Sequence, residues 1–319
     1  MTISGLHRPA AETHILSVGM PVRDLVFHVK NPPALGHKAQ AHRYEEIAGG
    51  NGLNAAIAMA RLGARPKLCG PMGGDADGAA GYILHRLADE RIDATTLVPM
   101  ADVVTPISSI MIDPSGERTI ITFRDPRLYE AKLPDTELLL DGCAAILVES
   151  RCAPFATELC AAAHRRGIPV VVDVDRKMAM GDPLMTAATH LVCSKEALLA
   201  TTAAADTGEA LRKLAAVTPA FVAATDGGNG MCWLDGSRLL ALPAFAVTAV
   251  DTLGAGDVFH GAFTVAMAQG QSIAEAMRFS AGAAAIKCSR FGGAFGAPTS
   301  DELGAFLATR PSPSPREVD

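Results

Sequence analysis

The sequence predicts a doubly wound α/β fold, a mostly parallel sheet sandwiched by helices, with a small accessory β-sheet beside it. Three observations predict it. Short apolar runs without alternation recur along the chain, as strands buried on both faces of a parallel sheet require. Helical stretches lie between these runs, so the order is βαβα. Two β-rich stretches then break the rhythm and find no place in that sheet.

In chain order, the first strand is expected at residues 14–19. Residues 24–46 follow without a helical period and read as extended chain of the accessory sheet. A helix is expected over about 52–62, closed by Gly63, because glycine accepts the left-handed conformation that ends a helix. A strand at 67–70 and a helix near 77–90 come next. Residues 108–113 and 118–123 are β-rich, and Pro114-Ser115-Gly116-Glu117 joins them. Turn formers between two apolar segments predict a hairpin. The accessory sheet is thus assigned to about 24–46 and 104–125. Strands at 144–149, 169–173, 190–193 and 220–225 alternate with helices near 155–166 and 209–216. A second hairpin, 231–235 with 238–242 around Asp235-Gly236, is placed at the edge of the main sheet. The domain is expected to span 13–310. The run Pro311-Ser312-Pro313-Ser314-Pro315 predicts a disordered tail over 311–319.

Bulk properties narrow the class. A chain of 319 residues, 49% apolar and 5% aromatic, can bury a large core and fits an ordinary soluble α/β protein. The net charge of −6 and the lack of a basic stripe argue against nucleic-acid binding. The Arg165-Arg166 pair reads as a solvated helix end. Cysteines stand at 69, 143, 152, 160, 193, 232 and 288, an odd count without C-x-x-C spacing. They predict reduced thiols in the cytoplasm, neither a disulfide frame nor a zinc site. No apolar run is long enough to span a membrane, and residues 1–13 lack a signal-peptide plan.

The chemistry concentrates in Asp251-Thr252-Leu253-Gly254-Ala255-Gly256-Asp257-Val258-Phe259-His260-Gly261-Ala262-Phe263. This is a glycine-rich turn opening into a helix. Small residues let the N–H groups of Leu253 to Asp257 converge, and the helix start adds partial positive charge. Such a nest suits a phosphoryl group gaining charge in transit. A carboxylate there suits a general base, and Asp257 is expected to take a proton from an attacking hydroxyl.

That string resembles the second signature of the PfkB (ribokinase-like) carbohydrate kinases. Gly49-Gly50-Asn51-Gly52-Leu53-Asn54-Ala55-Ala56, with Ala60-Arg61-Leu62-Gly63 after it, resembles the first signature. Gly70-Pro71-Met72-Gly73-Gly74-Asp75-Ala76-Asp77-Gly78 resembles the family's turn between them. The resemblance covers about residues 13–310 and is closest to the ketohexokinase and sulfofructose kinase branch. The paired asparagines look like ketohexokinase. Lys287-Cys288-Ser289-Arg290-Phe291-Gly292-Gly293 looks like sulfofructose kinase, so the two likenesses point to different sugars.

The resemblance implies a large α/β domain with a small β-sheet lid over a sugar, ATP as phosphate donor and magnesium. Gly254, Ala255 and Gly256 would supply the anion hole beside Asp257. Asp24, Gly50, Asn51 and Asn54 would hold the sugar. A carboxylate can accept from both hydroxyls of a diol, which suits Asp24. The two asparagines either face the sugar or cap their helix. Arg151 either reaches into the crevice beyond its strand end, where with Arg118 and Arg124 it would serve an anionic sugar, or pairs with Glu149 or a neighbour. Nucleotide contacts are expected at Thr225, Gly227 and Gly230, and at Ala284, Lys287 and Gly292. The family's Asn-x-x-Glu appears as Cys193-Ser194-Lys195-Glu196, which leaves Glu196, through water, with Asp173 or Asp175 to organise the metal. A monovalent cation, potassium, is implied near Asp251 and Gly293. His260 reads as a buried helix histidine rather than a second base.

The expected activity is transfer of the ATP γ-phosphate to a primary hydroxyl of a monosaccharide, a ketohexose or derivative. Sulfofructose, ribose and nucleosides are the alternative substrates. A catalytically silent sugar-binding regulator is the alternative outside the class, and an intact Asp257 argues against it. A homodimer through the lid is expected.

Overall fold

Five consecutive buried residues, Val170–Val174, can sit as a strand only between two apolar layers, and the chain supplies both. The computed structural model describes residues 13–74, 78–116, 118–310 and 315–318. Four sequence readings fall wholly or partly outside that set: the residues before 13, the turn residues Asp75 to Asp77, Glu117, and the tail at 311–314 and 319.

The chain opens with β1 (His14–Val18), then leaves the main sheet for β2 (Val22–Val29) and β3 (Ala41–Gly49). It returns through α1 (Asn51–Arg61), β4 (Arg65–Gly73), α2 (Ala79–Asp89) and β5 (Asp93–Met100). A second excursion forms β6 (Ile107–Ile112) and β7 (Arg118–Phe123). The rest alternates: α3 (Thr136–Leu140), β8 (Cys143–Glu149), α4 (Ala153–Arg165), β9 (Val170–Val174), α5 (Pro183–Ala187), β10 (His190–Ser194), α6 (Lys195–Thr202), α7 (Thr207–Ala215) and β11 (Phe221–Thr225). The hairpin β12 (Met231–Asp235) and β13 (Arg238–Leu242) precedes α8 (Ala255–Ala268), α9 (Ile273–Cys288), α10 (Ser300–Ala308) and β14 (Arg316–Val318).

The main sheet has the order β14-β13-β12-β11-β10-β9-β8-β1-β4-β5. It is parallel from β11 to β5 and antiparallel beyond β11. One face packs on α1, α8 and α9 through Leu53, Phe263 and Met277, and the other on α4 to α7 through Leu159, Leu184, Leu198 and Leu211. The small sheet, β3-β2-β6-β7, is the predicted accessory sheet. β1 lies between β8 and β4, where the winding reverses direction. Ligands of open α/β sheets bind beyond the strand ends at such a point.

The structure corrects the expected disorder of the tail. Residues 311–314 and 319 lie outside the described set, but Arg316–Val318 pair antiparallel with β13. The physical reason is the open edge of β13, whose free backbone groups accept a short extra strand despite the proline and serine before it.

Candidate active site

Glycine lets β1 and α1 meet. A Cβ on Gly19 would lie 2.3 Å from Glu149 Oε1 and 2.8 Å from Gly52 Cα. Gly50 adopts φ +99°, and a Cβ there would sit 2.4 Å from the Met20 carbonyl oxygen. With no side chains intervening, Ser17 Oγ donates to Gly52 O at 2.7 Å, and Gly52 N–H donates to Glu149 Oε1 at 2.6 Å. Burial pushes the Glu149 carboxyl up to about 8, against the pull of Arg151. Sequence reasoning did not place Glu149 in the site. The signal was there: an acid ending the buried run Ile146-Leu147-Val148.

The two asparagines of α1 do not cap their helix, and their amide nitrogens turn to carboxylates. Asn51 Nδ2 donates to Asp173 Oδ2 at 3.0 Å and to Asp175 Oδ2 at 3.1 Å. Asn54 Nδ2 donates to Asp257 Oδ2 at 2.7 Å. Both amides thus orient carboxylates, and their oxygens remain for a hydroxyl. Arg151 follows the second of its two readings. Its Nε stands 3.2 Å from Glu149 Oε2, and its guanidinium also pairs with Asp175. Burial alone would lower the Arg151 pKa, but Asp175 and Glu149 outweigh it and hold the group charged.

Asp257 sits in the first turn of α8, after Gly254 in the left-handed region at φ +77°. A larger residue at 254 would crowd Ala294 N, 3.2 Å from the Cβ position. The nest is narrower than expected. Leu253 N–H donates to Asp251 Oδ1 at 2.8 Å and Ala255 N–H to Thr252 O at 3.2 Å. Gly254, Gly256 and Asp257 therefore carry the N–H groups best able to meet an anion, as first-turn donors with no acceptor one turn back. His260 is buried, as read, and its Nδ1 lies 2.7 Å from Gly256 O, bracing that turn. Burial raises the Asp257 pKa to about 7, with Asp173 adding repulsion and the Asn54 amide opposing both. Asn54→Leu should therefore move the acid limb of the kcat/KM profile to higher pH. An unmoved limb would show that Asn54 does not set the charge of Asp257.

Asp24, on β2, is 8% exposed and faces this cleft from the small sheet. A Cβ on Gly49 would lie 2.0 Å from Asp24 Oδ2, so glycine at 49 makes room for the carboxylate. Burial lifts Asp24 to about 6, while the Ser108 hydroxyl and Arg124 pull the other way.

A second glycine turn follows β11. Gly230 has φ +98°, and a Cβ there would meet Leu242 O at 2.3 Å. Thr225, Gly227 and Gly230 belong to one small turn in which Gly227 is exposed, Thr225 partly exposed and Gly230 buried, and Ala284 and Gly292 are partly exposed. Lys287 departs from expectation. It is fully buried, and its ammonium lies on Asp251, so it presents nothing to a nucleotide. The carboxylate of Asp251, beside which a potassium ion is expected, lies 3.0 Å from this ammonium. Glu196 is exposed in the first turn of α6, and the neighbouring Lys195 pairs with Asp226 at 2.7 Å.

A carboxylate at a glycine-rich helix start, opposed by a carboxylate of the small sheet, is an arrangement suited to phosphoryl transfer to a hydroxyl. The comparisons agree. The model of the pfkB family carbohydrate kinases matches residues 12–300, and the chain belongs to that family. It is an ATP-dependent sugar kinase with a ribokinase-like fold. The ribokinase of Bacillus subtilis (strain 168) is 28% identical over 299 residues, covering 92% of this chain and 99% of its own length. The ribokinase of Haemophilus influenzae is 27% identical over 280 residues, covering 85% and 91%. A crystal structure of a candidate ribokinase from Agrobacterium tumefaciens superposes with TM-score 0.87 at 35% identity, over 93% of this chain and 98% of that one. Arabidopsis thaliana ribokinase complexed with ribose and ATP gives TM-score 0.83 at 23% identity, over 94% and 100%.

Proposed function

We propose that this kinase phosphorylates the primary hydroxyl of a pentose, ribose first, at the cleft between Asp24 and Asp257. The carrying observation is Asp257 itself, a helix-start carboxylate oriented by Asn54 and raised to about 7, where a base near neutral pH is most effective. Asp24 would accept from a sugar diol, and Gly50 would let the ring approach the backbone. Gly254, Gly256 and the Asp257 N–H would receive the charge that grows on the transferring phosphoryl group. Ketohexose was the expectation from the paired asparagines, but the Asn51 amide is taken up by Asp173 and Asp175. The curated relatives described above are ribokinases, which favours ribose.

ATP is assigned to the groove of Thr225, Gly227, Gly230, Ala284 and Gly292. Among the described residues no three His, Cys, Asp or Glu side chains group to cage a metal ion. That fits magnesium, which keeps several waters and binds through phosphate oxygens plus one or two carboxylates. Asp173, with Glu196 through water, would hold it, and its charge would offset that of the triphosphate. No helix among the described residues is long and apolar enough to cross a membrane, in keeping with a cytoplasmic enzyme.

The test is an ATP-consumption panel over ribose, fructose, sulfofructose and nucleosides. Ribose should give the highest kcat/KM. A sulfosugar or nucleoside far ahead of ribose would sink the pentose assignment, and no turnover with any of them would favour a silent binding protein.

The lid face turned from the cleft exposes Tyr44, Ile121 and Phe123, at 49%, 68% and 51%. Exposed apolar sheet invites a partner, and a second copy of this chain is the proposed one. Light scattering at micromolar concentration should give a dimer, and Ile121→Glu a monomer. A monomeric wild type would contradict this.

A further inference from the structure

The C-terminal turn of α9 carries a lysine that solvent does not reach. Lys287 is 0% exposed. A buried ammonium is costly unless it is paired and hydrogen-bonded. Here the pairing is with one residue twice: Lys287 Nζ lies 2.7 Å from Asp251 O and 3.0 Å from Asp251 Oδ2. Burial lowers the Lys287 pKa, with Arg118 adding a smaller repulsion, and the Asp251 carboxylate opposes both.

Asp251 is the first residue of the turn that leads to the base. Its carboxylate also accepts from Leu253 N–H at 2.8 Å and from Gly293 N–H at 3.0 Å. The backbone N–H groups of Val250 and Asp251 both donate to Cys288 O, at 2.8 and 3.2 Å. The loop after α9 then touches the turn from its other side, since Ala294 N stands 3.2 Å from the Cβ position of Gly254. One positive charge thus ties together the start of the catalytic turn, the end of α9 and the loop beyond it. Asp251 and Gly293 are also where the family resemblance implied a monovalent metal ion.

We propose that the Lys287 ammonium is a built-in monovalent cation that positions the turn bearing Gly254, Gly256 and Asp257, so that the enzyme needs no potassium. The physical basis is substitution of like for like. An ammonium is a monovalent cation that seeks oxygen ligands, and a tethered one is present at full occupancy whatever the salt. Lys287 touches neither substrate nor nucleotide, so its role is positioning, and its kinetic effect rests on the sugar-kinase activity.

The test compares cations at matched ionic strength. Wild-type kcat should agree to within about twofold in potassium, ammonium and choline chloride, since only general screening is common to them. Lys287→Ala should lose about tenfold or more in choline, because a small displacement of the turn is amplified in rate. Potassium or ammonium should restore most of that loss by entering the vacated space. The thermal midpoint should follow the same pattern without any sugar: potassium raises it in Lys287→Ala and leaves the wild type unmoved. That second readout separates a wrong cation assignment from a wrong substrate. Should the variant fail to fold in choline, its refolding yield in potassium against choline makes the same comparison. Potassium activation of the wild type would overturn the proposal. So would a Lys287→Ala enzyme that works normally in choline, or one that no cation improves in rate, midpoint or yield.

Discussion

Asp257→Asn should leave a folded protein that binds ATP and sugar and almost never joins them. The substitution is nearly isosteric, and asparagine is well tolerated at a helix start. The Asn54 amide keeps an oxygen to donate to. The N–H groups of Gly254 and Gly256 and the carboxylate of Asp24 remain where they are. What is lost is the ability to take the proton of the attacking hydroxyl. A positioned general base contributes about 10²–10⁴ in rate, so kcat should fall by that much. Calorimetric affinities for ATP and sugar should change by far less. A variant that instead lost sugar binding, with kcat preserved, would place Asp257 in recognition and not in proton transfer.

Asp24→Asn should make the protein more stable at neutral pH and a much poorer kinase. The carboxyl of Asp24 is raised from 3.8 to about 6 by burial. A raised carboxyl binds its proton more tightly in the native state than in the unfolded one. Its favourable contribution is full below about pH 4 and is lost as pH rises through about 6. Above that, the ionised form costs roughly 3 kcal/mol at most, from a shift of about two units. Asparagine avoids this charge and can still accept from Ser108. Denaturation at pH 8 should show the variant ahead by up to roughly that amount, with the gap closing near pH 4. The sugar KM should rise, because a lost charge-assisted hydrogen bond costs about 1.5–3 kcal/mol. A variant less stable than wild type at pH 8, or one with an unchanged KM, would show that Asp24 is structural and not a sugar ligand.

The parallel strands were legible because burial on both faces leaves a continuous apolar run, as in Val170–Val174. Strand β5 was not read, because Asp93–Met100 lies at the edge of the sheet and mixes polar residues and a proline into its sequence. β14 was hidden by the proline and serine before it, since only the distant edge of β13 makes a strand of it. In the site, the glycine turn and Asp257 were legible because local sequence alone builds a helix-start nest. The partners of the asparagines were not. Asn54 meets Asp257 across 203 positions and Asn51 meets Asp173 across 122, and residue type alone gives no sign of either. Lys287 misled for a related reason. A lysine near a ligand groove reads as a ligand contact, and only packing shows it turned inward to Asp251, 36 positions away.

Proton removal by Asp257 is the central step, and a single-turnover quench of phosphoryl transfer measures it apart from product release. With enzyme in excess over ATP and sugar saturating, the wild-type rate should climb with pH through about 7, the value to which Asp257 is raised. Asp257→Asn should transfer about 10²–10⁴ times more slowly and lose that dependence on pH. A variant within about tenfold of wild type, below the usual span for a lost base, would contradict the assignment.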